Sequence, residues 1–230
     1  MTRTRPVIAI DGPVGAGKST VARELARALG FEYLNTGAMY RAVAIAARAA
    51  GMADLEAGSI GDDVGRAARL RKLLEAIAIE FDGGRIRLNG RDVTDQISDP
   101  VVSEDASRLS TIGAVRERMR ELQRAAGERG GIVMEGRDIG TAVFPDAECK
   151  FYLDASAAVR AERRWRELAA RGAGISRAEV LAQLIERDRR DSERALAPLQ
   201  AAADAIVVDS GSLTIEEVVA MLKARIASRA

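Results

Sequence analysis

Five short, unalternating apolar runs recur along the chain: Val7–Ile10, Phe31–Leu34, Ile132–Glu135, Lys150–Leu153 and Ala205–Val208. Runs of this kind suit strands covered on both faces rather than strands with one wet side. Between them the apolar spacing changes to i, i+3, i+4. That spacing predicts helices over Ser19–Leu29, Met39–Ala50, about Ala114–Glu128, Ser156–Ala170, Ser176–Arg190 and Ile215–Ala227. Ser156 and Ser176 stand where helix caps belong, and Ser176 with Glu179 spells a capping box. The alternation predicts an α/β fold, with a five-stranded, mostly parallel sheet and helices on both faces in three layers.

Two excursions interrupt this pattern. The stretch between the second and third strands is much too long for a loop. Within it Ala78–Phe81, Asp82-Gly83-Gly84, Arg85–Leu88 and Asn89-Gly90 read as a β-hairpin followed by another tight turn, a small antiparallel insert. The second excursion is a pair of helices joined around Arg171-Gly172-Ala173-Gly174, whose glycines suit a mobile tip.

The first strand runs straight into Gly12-Pro13-Val14-Gly15-Ala16-Gly17-Lys18-Ser19-Thr20 and then into a helix. Gly-x-x-x-x-Gly-Lys-Ser in that setting is a phosphate-binding loop. Backbone N–H groups of Gly15 to Ser19 would wrap a nucleotide phosphate at the helix N-terminus. Lys18 would reach the β- and γ-phosphates, and the Ser19 hydroxyl would ligate Mg²⁺. The chain has four lysines beside 31 arginines, so a lysine here marks a place where a compact point charge suits phosphate better than a planar fork.

Composition narrows the chemistry. With 230 residues, 30% charged and 47% hydrophobic, the chain can bury one sizeable core. A net charge of +1 gives no overall pull toward nucleic acid or membrane. The chain has no histidine, which excludes histidine metal sites, Ser-His-Asp hydrolysis and a histidine general base. One cysteine, Cys149, lies in an apolar run and reads as a small buried residue, so no disulfide framework exists. The basic, then apolar, N-terminus is too short for a signal peptide, and no run is long enough to span a bilayer. A cytoplasmic location is expected.

Other segments fall at the edge of the sheet where ligands of α/β proteins bind. Thr36-Gly37-Ala38-Met39-Tyr40-Arg41 follows the second strand, and Arg41 reads either as a phosphate fork or as a solvated helix arginine. Glu135-Gly136-Arg137-Asp138 ends the third, where Arg137 and Asp138 could form a structural ion pair or a site, and Glu135 could hold a water on Mg²⁺. Glu186–Arg194 is a charge run that reads either as a solvated face or as arginines brought over phosphates, together with Arg160, Arg163, Arg164 and Arg166. Trp165 among them reads as a packing anchor. A switch GTPase is excluded, because no Asn-Lys dipeptide exists and Asp62-Asp63-Val64-Gly65 lacks a preceding strand. A dinucleotide fold would need a third glycine where Thr20 stands and an acid where Asn35 stands.

Taken together, Gly12–Ser19, Thr36–Arg41, Glu135–Asp138, Phe144-Pro145-Asp146-Ala147, Arg187–Asp191 and Ala197-Pro198-Leu199 resemble the bacterial cytidylate kinase family, nearly end to end and in order. The resemblance implies transfer of the γ-phosphoryl group of ATP to CMP or dCMP, giving ADP, with Mg²⁺ as cofactor. It implies a core of residues 1–36, 106–155 and 195–230, a monophosphate-binding insert over 37–105, and a lid with its arms over 156–194. It implies that Arg41, Arg137 and Arg187 hold the CMP phosphate, and that Ser107, Arg116 and Asp138 read cytosine. Asp191 and Arg194 would contact the sugar, with Thr36 and Tyr40 nearby. Arg160 and Arg163 would contact the ATP phosphates beside the loop Gly12–Thr20. Lys18, Arg137 and Arg187 would serve the transfer itself. The cytosine assignment has chemical sense: Asp138 can accept from the N4 amino group and Arg116 can donate to N3 and O2. Uracil would leave like dipoles facing each other. Glu135 stands where many relatives have Asp, and Thr36 where well-known relatives have Ser. A monomer that binds neither nucleic acid nor membrane is expected. Another small-metabolite phosphate-loop kinase, for instance of the shikimate type, remains the alternative, ahead of a nucleic-acid-binding module using the arginine-rich segment.

Overall fold

A computed structural model of the protein describes residues 3–52, 64–82 and 84–228. Gly83 of the hairpin turn and Asp62 and Asp63 of the Asp-x-x-Gly segment lie outside the described residues. The chain forms two compact units, Met1–Leu34 with Gly127–Ala230, and Asn35–Ala126.

The first unit is built on a sheet of β1 (Val7–Asp11), β2 (Glu32–Asn35), β6 (Ile132–Gly136), β7 (Cys149–Asp154) and β8 (Ile206–Asp209) in the order β2-β6-β1-β7-β8. The strand that feeds the glycine loop is therefore central. β1 pairs in parallel with β6 on one side (Ile8 opposite Val133) and with β7 on the other (Ile8 opposite Cys149). Every residue of β1 and β6 is buried, as unalternating apolar runs require. Helices α1 (Lys18–Leu29) and α8 (Ile215–Ala227) join this sheet through one core in which Leu25, Phe151, Leu153 and Leu222 meet. Cys149 is buried in the same core, as expected of a small apolar side chain.

Helices α6 (Ala157–Ala170) and α7 (Arg177–Glu193) pack on each other around Leu168, Val180 and Leu184. Ser156 caps α6, and the Ser176–Glu179 capping box caps α7, as the sequence predicts. Trp165 is the anchor expected: its ring packs against this cluster and its Nε1 donates to the Ile175 carbonyl at 3.1 Å.

The second unit holds α2 (Thr36–Ala49), α3 (Val64–Ala76), the antiparallel ribbon of β3 (Ile79–Asp82), β4 (Arg85–Leu88) and β5 (Arg91–Asp92), α4 (Pro100–Leu109) and most of α5 (Gly113–Gly127). The hairpin registers Ile79 against Leu88, and Asn89 and Gly90 both take positive φ, the tight turn foreseen. Three features differ from the sequence expectation. Helix α2 starts at Thr36 rather than Met39, because the Asn35 side chain accepts from the Ala38 N–H and caps it. Helices α3 and α4 were not anticipated. Helix α3 buries Leu70 and Leu74 but few other apolar side chains, so its periodicity is faint. Helix α4 buries Ser103, Asp105 and Ser107 beside Val102, Ala106 and Leu109, so polar residues break its apolar stripe.

Candidate functional site

Gly12 leaves β1 with φ 145°, and a Cβ there would stand 2.0 Å from the Leu153 carbonyl oxygen, so only glycine fits. Gly17, at φ 85°, is the N-cap of α1, and a Cβ there would meet open space. At Gly17 it is therefore the backbone conformation, not crowding, that selects glycine. A glycine cap brings no side-chain acceptor to the first amides of α1, which leaves them for an anion.

Lys18 is buried, and its Nζ donates to the Pro13 carbonyl at 2.6 Å. Burial, reinforced by the nearby Arg137 charge, lowers its pKa to about 7 against the opposing pull of Glu135, Asp11 and Asp191. This lysine is stored without a full counter-charge and would gain one from a polyphosphate.

The loop is braced from two sides. Arg160 is buried and its guanidinium donates to the Ala155 carbonyl (2.8 Å), the Val14 carbonyl (3.2 Å) and Asp188 (2.7 Å). Arg163 donates to the Ser210 carbonyl at 2.6 Å, and the Ser210 hydroxyl lies 2.9 Å from the Ala16 carbonyl. Both predicted phosphate-side arginines thus reach the loop's own backbone, Arg160 directly and Arg163 through Ser210.

At the C-terminal end of β6 the chain turns into a single π turn, Ile139–Val143. Asp11, at the end of β1, accepts from the Ile139 N–H (2.8 Å) and the Gly140 N–H (2.7 Å) with its two carboxylate oxygens. Burial raises its pKa to about 6 in spite of those two donors. Asp11 thereby ties the turn that carries Arg137 and Asp138 to the strand that carries the phosphate loop. Sequence reasoning gave it no role.

The charge run of α7 is sorted by helical phase. Arg189 pairs outward with Glu186 and Glu193 on a solvated face. Asp188, Asp191 and, beyond the helix, Arg194 turn inward. Arg137 donates its Nε to Asp191 at 2.9 Å, and Arg194 donates to Asp138 at 3.2 Å. Burial works against the charges of this group, but Asp191 holds Arg137 above its usual pKa, while Arg137, Arg187 and Arg194 hold Asp191 below the usual carboxylate range. For Asp188 burial outweighs Arg160 and raises the pKa. The solvated-face reading therefore holds for the outward face, and the inward face carries these ion pairs.

Tyr33 of β2 also escaped notice. Its hydroxyl donates to Glu135 at 2.9 Å. Burial and the Glu135 charge raise the phenol's pKa, so it remains a donor. Its signal in the sequence is a hydroxyl-bearing aromatic inside an apolar strand that ends at the ligand edge of the sheet.

In the second unit, Ser103, Ser107 and Ser110 form one buried stripe at i, i+4 and i+7 along α4 and its cap. Arg116 of α5, also buried, donates to the Ser110 carbonyl at 3.3 Å, and the Ser110 hydroxyl donates to the Ser107 carbonyl at 2.7 Å. The predicted base readers Ser107 and Arg116 are brought together in this way. Asp105 fixes α4 to α2 by accepting from Arg48 at 2.5 Å and also pairs with Arg108. Thr36 is buried at the start of α2, and Tyr40 and Arg41 are half-buried one turn on.

Among the described residues no group of three or more His, Cys, Asp or Glu is arranged to hold a metal ion, and no helix is long and apolar enough to cross a membrane. The oxygen donors Ser19 and Glu135 fit Mg²⁺, a hard cation that keeps waters and phosphate oxygens rather than sitting in a protein cage.

A phosphate loop after the central strand of a parallel sheet, with paired arginines and carboxylates on the neighbouring strand's end, defines a phosphate-loop phosphotransferase. A sequence profile of the cytidylate kinase family matches residues 8–228. A cytidylate kinase of Pelotomaculum thermopropionicum is 48% identical over 97% of this chain and 96% of its own length. One from Thermodesulfovibrio yellowstonii is 46% identical over 98% and 100%. Among solved structures, a shikimate kinase from Acinetobacter baumannii in complex with shikimate is similar at a TM-score of 0.47 and 18% identity, over 98% of this chain and 95% of that one, too loose a likeness to carry an inference. The chain belongs to the cytidylate kinase family.

Proposed function

We propose that the protein transfers the γ-phosphoryl group of ATP to CMP or dCMP. What supports this reading is the neighbourhood of β1 and β6. These adjacent parallel strands end in the phosphate loop and in Arg137–Asp138, a cradle for a donor phosphate beside a cation and a carboxylate suited to an acceptor nucleotide.

The loop Gly12–Thr20 takes the ATP phosphates, with Lys18 following the moving phosphoryl group. By the family resemblance, Arg137, Arg187, Asp138, Asp191, Arg194, Thr36, Tyr40, Arg41, Ser107 and Arg116 contact the nucleoside monophosphate. Residues 156–194 act as the lid, with Arg160 and Arg163 at its base, and residues 37–105 as the monophosphate-binding insert. Ser19, and Glu135 through waters, would hold Mg²⁺, which would supply neutralisation of phosphate charge. No side-chain base is needed, because alignment of the acceptor oxygen and charge neutralisation suffice. The enzyme works as a cytoplasmic monomer.

A coupled ADP-release assay across acceptors tests this. CMP and dCMP should turn over at least about a hundredfold faster than UMP, AMP or GMP, because buried readers left unpaired discriminate strongly. Equal rates on UMP and CMP would remove the base assignment, and preference for shikimate or another small hydroxylated metabolite would overturn the reading itself.

A further inference from the structure

We propose that Arg160 is a positioning residue of the phosphate loop, held in place by Asp188, which fastens the Val14 carbonyl and so fixes the Gly15 N–H for a phosphate. The inference rests on the proposed binding of the ATP phosphates in Gly12–Thr20. It replaces the direct phosphate contact that the family resemblance implies for Arg160.

Three of the five N–H groups of this guanidinium are given to protein oxygens: Nε to the Ala155 carbonyl at 2.8 Å, and Nη1 to the Val14 carbonyl at 3.2 Å and to Asp188 Oδ2 at 2.7 Å. The side chain is buried, so bulk water does not compete for these bonds. The Val14–Gly15 peptide is planar and trans, like every described peptide bond of the chain, and its carbonyl and N–H point in opposite directions. Fixing the carbonyl on Arg160 therefore points the Gly15 N–H away from the arginine. That N–H is the first of the amides a loop of this kind turns toward phosphate. Neighbouring carbonyls are held in a similar way. Lys18 donates to that of Pro13 at 2.6 Å, and the Ser210 hydroxyl lies 2.9 Å from that of Ala16.

Close approach of α6 makes the contact possible. Gly15 takes φ 78°, and a Cβ there would stand 3.0 Å from both the Cβ and the carbonyl oxygen of Arg160. Asp188, from α7, holds the guanidinium from the other side. Its Oδ2 accepts from Arg160, while its Oδ1 is buried with no hydrogen-bond partner among the described residues. Burial of this carboxylate is thus repaid at one oxygen only, by the arginine it holds. Without Asp188, a polyphosphate in the loop would draw the guanidinium off the Val14 carbonyl, and the peptide that carries the Gly15 N–H would be free to rotate.

The test compares Asp188→Ala with Asp188→Asn. Both remove the charge, but only asparagine keeps an oxygen for Arg160. Binding of ADP in EDTA is measured by calorimetry, with folding checked by thermal melting. Asp188→Ala should bind ADP about fivefold more weakly than Asp188→Asn, the worth of one hydrogen bond. Arg160→Ala should weaken ADP by about tenfold, and in that background the two Asp188 substitutions should give equal affinities, because Asp188 acts through Arg160. An arginine that instead contacts phosphate would be released by either Asp188 variant, so equal ADP affinities of the two would overturn the inference. A gap that persists in the Arg160→Ala background would overturn it too, and an equal gap for CMP would show Asp188 to be structural only. The Asp188 side chain is 21% exposed, so the two Asp188 variants decide the matter if Arg160→Ala does not fold. If wild-type enzyme binds no ADP, the donor site of the proposed function fails first and takes this inference with it.

Discussion

Around Gly12–Ser19 the groups offered to a phosphate are backbone amides, fixed by left-handed glycines and by a helix start that no side chain caps. At the ends of β6 and α7 they are arginine side chains, and Arg137 and Arg194 each already hold a carboxylate, Asp191 and Asp138, as Arg160 of α6 holds Asp188. The amides cannot turn away or be neutralised, so the loop is complementary to an anion before one arrives. Its cost is Lys18, a charge stored in a site that disfavours it. The arginines are stored in neutral pairs, and under the proposed function a ligand phosphate would have to compete with Asp191 for Arg137. Under the proposed function one region would recognise by fixed geometry and the other by exchange of partners.

The sharpest way to break this contrast is Gly12→Ala. A methyl group 2.0 Å from a backbone carbonyl, at a φ of 145°, has no flexible neighbour to displace. We expect a loss above about 4 kcal/mol, which few single substitutions reach, or no folded protein at all. Denaturant unfolding of purified variant checks this, and a fully stable Gly12→Ala protein would mean the loop is not held as described.

Arg137→Ala should cost less stability, about 3 kcal/mol, because it removes the hydrogen-bonded cation from buried Asp191 and leaves only the nearby charges of Arg187 and Arg194. If exchange of partners is the right description, adding Asp191→Asn should restore much of that stability while CMP binding stays lost. Urea unfolding and CMP titration of both variants separate the two effects. Equal stability of the single and double variants would show that the pair carries little strain.

The same contrast explains what could be read in the sequence. The loop and its flanking strand are local patterns, and the strands over Val7–Ile10 and Ile132–Glu135 extend by only one residue each in the structure. The arginine region depends on which face of α7 turns inward, and Arg187-Asp188-Arg189-Arg190-Asp191 reads the same before folding sorts it. Helix α4 escaped because a buried face of serines and Asp105 carries no strong hydrophobic period, although Asp99 before Pro100 is a helix-start signal in plain view. Asp11 and Tyr33 lie within or beside apolar strands, and only the pairing of β1, β6 and β2 shows what their polar atoms meet.

The smallest effect is also the one that separates the two regions most directly, because it follows protons. Free Lys18 has a pKa of about 7 against an ordinary 10.5, so at pH 8.5 it is mostly neutral. The triphosphate favours the ammonium, so binding of ATP at that pH should take up a proton. The complex then holds more protons than free enzyme, and affinity falls as pH rises from about 7 toward 10.5, by at most tenfold per pH unit. Below about pH 6 the lysine is already charged and contributes no uptake. Calorimetric titrations in buffers of different ionisation enthalpy should give an uptake approaching one proton at pH 8.5, and Lys18→Met should abolish it. Arg137 stays charged throughout, since Asp191 holds its pKa above an already high value, so CMP binding should show no matching uptake at pH 8.5. Proton uptake with CMP and none with ATP would reverse the assignment of fixed and exchanging partners to the two regions.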